Sequence, residues 1–158
     1  MAKISILGAG SWGTALAVLL YNNGHQVLLW SALTEEVSML REKREQTSKL
    51  PGVRLAEEIE ITADLERALR EADVAVLAVP SPFTRSTASR MAPFVREGQK
   101  IVNVAKGVEE KTLMTLSDIV EEEIPQADVA VLSGPSHAEE VGKGIPTTCV
   151  VSAGTRET

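Results

Sequence analysis

Residues Gly8 to Gly13 read "GAGSWG", a G-x-G-x-x-G run set between an apolar stretch, "KISIL", and a helical pattern. Each glycine answers a different steric need there. Gly8 permits a tight turn. Gly10 lets the backbone approach a diphosphate that any side chain would strike. Gly13 lets a helix pack close to a strand. Free N–H groups at the helix start, with the positive end of the helix dipole, favour the anion. Ser11 adds a hydroxyl donor, and Trp12 either packs over a ligand or only covers the helix start. The competing reading is a strand-to-helix turn that binds nothing. The strand before and the helix after favour a dinucleotide instead.

Other residue types that could do chemistry follow short apolar runs. Pro80, Ser81, Pro82 and Phe83 follow "VAVLAV"; Lys106 and Gly107 follow "KIVNVA"; Gly134, Pro135, Ser136 and His137 follow "VAVLS". Lys106 could hold a substrate oxygen or a phosphate, and reads equally as a surface lysine. Gly134 and Ser136 offer an N–H and a hydroxyl, or simple turn chemistry. His137 could act as acid or base, though a residue capping a short helix or facing solvent reads better. Glu139 and Glu140 are adjacent, so they do not face each other on a helix; they suit its positive end. His25 has no evident partner. Cys149, the one cysteine, sits in "TTCVV" and reads as a buried, inert thiol. The spacing shows neither a metal-ligand cluster nor a Ser-His-Asp arrangement.

A dinucleotide site that prefers NAD places an acid near the end of the second strand. Here that strand runs into Trp30, Ser31, Ala32 and Leu33; the acids come later, at Glu35 and Glu36, and the first cation is Arg41. The choice between NAD and NADP stays open on these residues.

The elements that must position these groups alternate. Strands are expected at Lys3–Gly8, Gln26–Trp30, Ile59–Thr62, Val74–Val79, Lys100–Ala105, Val129–Ser133 and Thr147–Ser152. Helices are expected at Ser11–Asn23, Glu35–Lys43 after Thr34, Leu65–Glu71 after Asp64, Thr112–Glu123 and His137–Lys143. Several strands are apolar almost throughout, as strands buried on both faces are. The fold class is therefore α/β, a doubly wound, mostly parallel sheet of Rossmann type. Thr47–Leu55 is the main irregular stretch, with a turn at Pro51-Gly52. No linker divides the chain, so residues 1–158 form one domain.

The chain has 158 residues, formal charge −6, 44% hydrophobic and 24% charged residues. That balance argues against a general nucleic-acid binder or a membrane-surface binder. No run is long enough to span a bilayer, and the N-terminus reads as a first strand rather than a signal peptide. A cytoplasmic location is expected.

The pieces "GAGSWGTALA", "NGHQVLLW", "LPGVRL", "ADVAVLAVPS", "AKGVE" and "SGPSHAEEVGKGIPTT" cover nearly the whole chain. In this order they resemble the N-terminal domain of bacterial NAD(P)-dependent sn-glycerol-3-phosphate dehydrogenases. The resemblance implies reversible hydride transfer between dihydroxyacetone phosphate and sn-glycerol 3-phosphate, feeding phospholipid synthesis. It implies that Gly8, Gly10, Ser11, Trp12, Gly13, Lys106 and Ala138 meet the NAD(P)H cofactor, with Pro80 and Phe83 beside the nicotinamide. Lys106, Gly134 and Ser136 would meet substrate, and Ser81 and Arg85 fit the family's S-x-x-x-R. Many relatives carry His or Arg where Ala32 and Leu33 stand, so the resemblance leaves NADP against NAD open. It also implies a helical C-terminal substrate domain, absent from this chain, holding the proton acceptor beyond Thr158. The chain alone is then expected to bind cofactor without turnover, and the intact enzyme could form a homo-oligomer. The alternatives are a related β-hydroxyacid-type dehydrogenase, acting on ketopantoate or a sugar nucleotide, and a non-catalytic NAD(H)-sensing domain. "SGPSHAEEV" argues against the first.

Overall fold

A computed structural model of the chain describes residues 1–154. Thr155–Thr158, the end of the polar segment that closes the sequence, lie outside the described residues. Seven strands, β1 (Lys3–Leu7), β2 (Gln26–Trp30), β3 (Glu60–Thr62), β4 (Val74–Leu77), β5 (Lys100–Asn103), β6 (Asp128–Ser133) and β7 (Val150–Ala153), form one sheet in the order β3-β2-β1-β4-β5-β6-β7. The first six are parallel; β7 runs antiparallel to β6. The chain leaves β1 toward one edge, then returns to place β4 on the other side of β1. This reversal defines a doubly wound sheet and puts a crevice beside the end of β1.

The alternation of strand side chains explains why the runs are apolar throughout. Ile4 and Ile6 of β1, Val27 and Leu29 of β2 and Val76 of β4 pack on one face. There they meet Leu16 and Ala17 of α1 (Ser11–Asn22) and Val37 and Leu40 of α2 (Thr34–Lys43). Leu7, Trp30, Ala75, Leu77 and Ile101 pack on the other. Their partners there are Leu65 and Leu69 of α3 (Leu65–Arg70), Ala88 and Met91 of α4 (Thr84–Met91) and Val120 of α5 (Leu116–Glu123). Helices thus cover both faces, so alternate strand residues are both buried.

Three elements differ from the sequence reading. The helix α4 was not expected. Its buried face, Thr84, Thr87, Ala88 and Met91, has helical spacing, but half of it is threonine, so no hydrophobic stripe shows. The helix expected over Thr112–Glu123 starts only at Leu116. Thr115 caps it by accepting from the Asp118 N–H at 3.3 Å, while Leu113 takes φ +60 in the preceding turn. The last strand starts at Val150, not Thr147, and Cys149 beside it is exposed rather than buried. Of the two expected caps, Asp64 holds, accepting from the Arg67 N–H at 3.0 Å, whereas Thr34 is the first residue inside α2, whose N-cap is Leu33 with no side-chain cap. His25 does have a partner, since its Nδ1 accepts from the Ala2 N–H at 3.3 Å.

Candidate functional site

The strand register lines up the carboxyl ends. Leu7 pairs with Leu77, Leu77 with Asn103, and Asn103 with Val131. Gly8 lies one residue past this row, and Pro80, Lys106 and Gly134 each lie three residues past it. Four loops therefore meet along one edge of the sheet. An added Cβ at Gly8 would stand 2.7 Å from the Ala78 backbone. One at Gly107 would stand 3.5 Å from the Ser81 hydroxyl. The Lys106 ammonium donates to the Gly134 carbonyl at 3.1 Å and the Ser136 carbonyl at 3.3 Å. The residues expected at the strand ends are thus brought together.

The glycine loop separates internal from external need. Gly8 sits at φ +124, a conformation that L side chains rarely adopt. A Cβ on Gly13 would lie 1.8 Å from the Gly8 carbonyl oxygen. Both glycines are demanded by the fold. Gly10 is not: its φ is −70, and a Cβ there would meet no protein atom within 4 Å. The surrounding protein places no steric demand on that position. Gly10 is also the N-cap of α1, and no side chain caps that helix. The first N–H groups of the helix have no intrahelical acceptor. The first turn of α1 holds no acidic residue, whereas α2, α3 and α5 each hold at least one. The loop therefore presents an uncapped, uncountered positive helix end beneath open space, which fits a diphosphate.

The flanking side chains take mixed positions. Ser11 is half-buried at the first helical position. Trp12 packs on the cluster of Ala15, Leu50, Val53, Ala138 and Val141, and its Nε1 is buried with no acceptor. Ala138 opens α6 (Ala138–Gly142) and is buried against α1, and Ser136 is buried just before it. Pro80 is exposed, and Phe83 is 59% exposed at the end of a 3-10 turn, Ser81–Phe83. His137 is exposed at the N-cap of α6 without capping it. Trp30 is only 1% exposed and donates to the Ala63 carbonyl at 3.0 Å, so it lies beneath the edge and not on it.

Two supporting interactions were not legible in the spacing. Gln46, fully buried, donates its amide to the Ala9 carbonyl at 2.7 Å, bracing the glycine loop from an irregular segment. Arg85 on α4 donates to Glu109 at 2.7 and 2.9 Å and to Glu123 at 2.8 Å, so it ties the loop that carries Lys106 to α4 and α5. That guanidinium, helped by the Thr112 hydroxyl, holds the Glu109 carboxyl down at about 2. Gln46 stands in no local pattern, and the S-x-x-x-R that holds Arg85 does not name its partner; only the tertiary fold brings each to its partner. Among the described residues, no group of three His, Cys, Asp or Glu is placed to hold a metal ion. No helix of the described residues is long and apolar enough to cross a membrane.

The family model described as NAD-dependent glycerol-3-phosphate dehydrogenase N-terminus matches residues 3–158. A curated glycerol-3-phosphate dehydrogenase [NAD(P)+] of Agathobacter rectalis is 61% identical over 158 residues, covering 100% of this chain and 47% of the relative. One from Fusobacterium nucleatum is 52% identical, covering 99% and 48%. The crystal structure of a glycerol-3-phosphate dehydrogenase from Coxiella burnetii superposes with TM-score 0.93 at 32% identity, covering 99% of this chain and 48% of that one. The chain spans about half the length of the curated relatives it matches.

Proposed function

This chain belongs to the family of NAD-dependent glycerol-3-phosphate dehydrogenase N-terminal domains, and we propose that it is the cofactor-holding part of an enzyme interconverting sn-glycerol 3-phosphate and dihydroxyacetone phosphate. The observation that carries the reading is Gly10, the one glycine of the loop that the fold itself does not require. Gly8, Gly10 and Gly13, with Ser11, form the diphosphate cradle at the α1 N-terminus. Trp12 and Ala138 close it where α6 packs on α1. A bound nicotinamide supplies or accepts the hydride, and Pro80 and Phe83 border its ring.

The substrate side is Lys106, Gly134 and Ser136. Lys106 is held by two carbonyls at the edge, which fixes a cation where a substrate oxygen or phosphate can meet it. It orients and polarises. We place the proton acceptor, and most contacts to the substrate phosphate, outside residues 1–158. The chain alone then binds cofactor without turnover. The intact enzyme would supply glycerol 3-phosphate for phospholipid synthesis, in the cytoplasm.

The test is a titration of the chain with NADH and with NADPH, followed by energy transfer from tryptophan to the reduced nicotinamide. Saturable binding, lost in Gly10→Val, supports the reading. Absence of binding to either cofactor refutes it. In the full-length enzyme, Lys106→Ala should lower kcat/KM by about 100-fold or more through lost polarisation of the reacting oxygen. An unchanged value would leave Lys106 a surface residue.

A further inference from the structure

The corner beyond the end of β2 holds a carboxylate that its position in the sequence conceals. Glu36 lies six residues after Trp30, in the first turn of α2. Its side chain is nonetheless only 10% exposed, because it folds back under the strand end. One oxygen, Oε2, accepts from the Ser31 hydroxyl at 2.5 Å. The other, Oε1, accepts from the Gln46 amide at 2.9 Å and pairs with the Lys49 ammonium. The same Gln46 nitrogen donates to the Ala9 carbonyl at 2.7 Å, so a single amide separates this carboxylate from the glycine loop.

Resting on the reading of that loop as a dinucleotide site, we infer that Glu36, held by Ser31, Gln46 and Lys49, is the acid that reads the adenosine ribose and makes the chain select NAD over NADP. A dinucleotide whose diphosphate lies on the α1 N-terminus puts that ribose beside the end of β2. The Glu36 carboxylate has about four acceptor positions and three are taken, which leaves one for a ribose hydroxyl. A 2′-phosphate there would face this shielded negative charge.

Among the described residues, the arginines of this corner are already engaged. Arg41 donates through both Nε and Nη2 to the Ile61 carbonyl, at 2.9 and 2.7 Å. Arg44 is taken by Glu57 and the Ile59 carbonyl. Ala32 and Leu33, the first residues past Ser31, carry no charge. Lys49 pairs with Glu36, and turning it to a phosphate would strip Glu36 of its counterion.

The experiment compares NADH and NADPH affinity of the 158-residue chain by nicotinamide fluorescence, with Glu36→Gln and Lys49→Ala beside the wild type. Wild type should bind NADH at least about tenfold more tightly than NADPH, since juxtaposed like charges cost that or more. Glu36→Gln should narrow the ratio chiefly by strengthening NADPH. The wild-type ratio is informative even if that variant does not fold. Equal affinities, or tighter NADPH with Lys49→Ala weakening NADPH alone, would overturn the inference and assign the corner to the lysine. Binding of neither cofactor would overturn the dinucleotide reading itself, and this inference with it.

Discussion

At the scale of single residues, the glycine loop divides into positions the protein needs and a position the ligand needs, and substitution separates them. Gly13→Ala drives a methyl into the Gly8 carbonyl, 1.8 Å from it. Overpacking against backbone that cannot move should cost about 3 kcal/mol or more. Gly10→Ala meets no protein atom within 4 Å. It should cost under about 1 kcal/mol, the difference between glycine and alanine at an N-cap, yet weaken NADH binding. Urea denaturation and cofactor titration of the two variants check both halves; a large stability loss in Gly10→Ala would remove the argument. These glycines were legible because a left-handed turn and a close approach exclude every other residue type. Cys149 was not. Its apolar neighbours in "TTCVV" read as core, but they belong to a sheet edge whose Val150 and Val151 are 66% and 62% exposed. A thiol reagent should therefore modify Cys149 in the folded chain at a rate near that of the unfolded chain.

At the scale of elements, the loop carrying Lys106 is fixed by charge and not by apolar packing. Gly107–Met114 has a half-buried anchor in Glu109, gripped by Arg85 of α4, while Val108 and Leu113 point outward. Glu109 titrates in the folded state at about 2, below its ordinary 4.5, because the Arg85 guanidinium and the Thr112 hydroxyl favour the anion, with Lys111 adding to it. Its contribution to stability is thus complete above about pH 4.5 and fades as pH falls toward about 2. Arg85→Ala should be less stable than wild type at neutral pH, and the gap should close in acid, with Glu122 and Glu123 losing the same partner. Urea midpoints at neutral and acid pH measure it. A gap independent of pH would mean that Arg85 acts through its hydrocarbon stem. The sequence revealed the alternation of strands and helices because both-face burial makes strands apolar throughout. It hid α4, whose buried face is half threonine, and it hid the Arg85–Glu109 tie, whose partners stand 24 residues apart.

At the scale of the whole molecule, the sheet has two unlike edges. On one side β3 is short, with three residues, and Ile61 and Thr62 are buried. A short, covered edge offers little to pair with. On the other, β7 is exposed along its described length, running antiparallel to β6. Val150, Val151 and nearby Ile145 give that edge an apolar surface, at 66%, 62% and 49% exposure. Gly134 follows Ser133, which pairs with Val150, and a Cβ on it would stand 2.6 Å from the Thr148 carbonyl just before β7, so the candidate substrate loop adjoins the exposed edge. An exposed apolar edge strand is a template for pairing with another chain. The 158-residue chain should therefore associate with itself as concentration rises, in sedimentation velocity. Val151→Lys, which places a charge on the edge, should suppress this. Because Val151 is 62% exposed, the variant should keep its unfolding midpoint. Association unaffected by Val151→Lys would move the contact to another surface. If association is suppressed and NADH affinity rises with it, the β7 edge occludes the Gly134 side of the crevice when two chains pair, as the pairing of Ser133, next to Gly134, with Val150 leads one to expect.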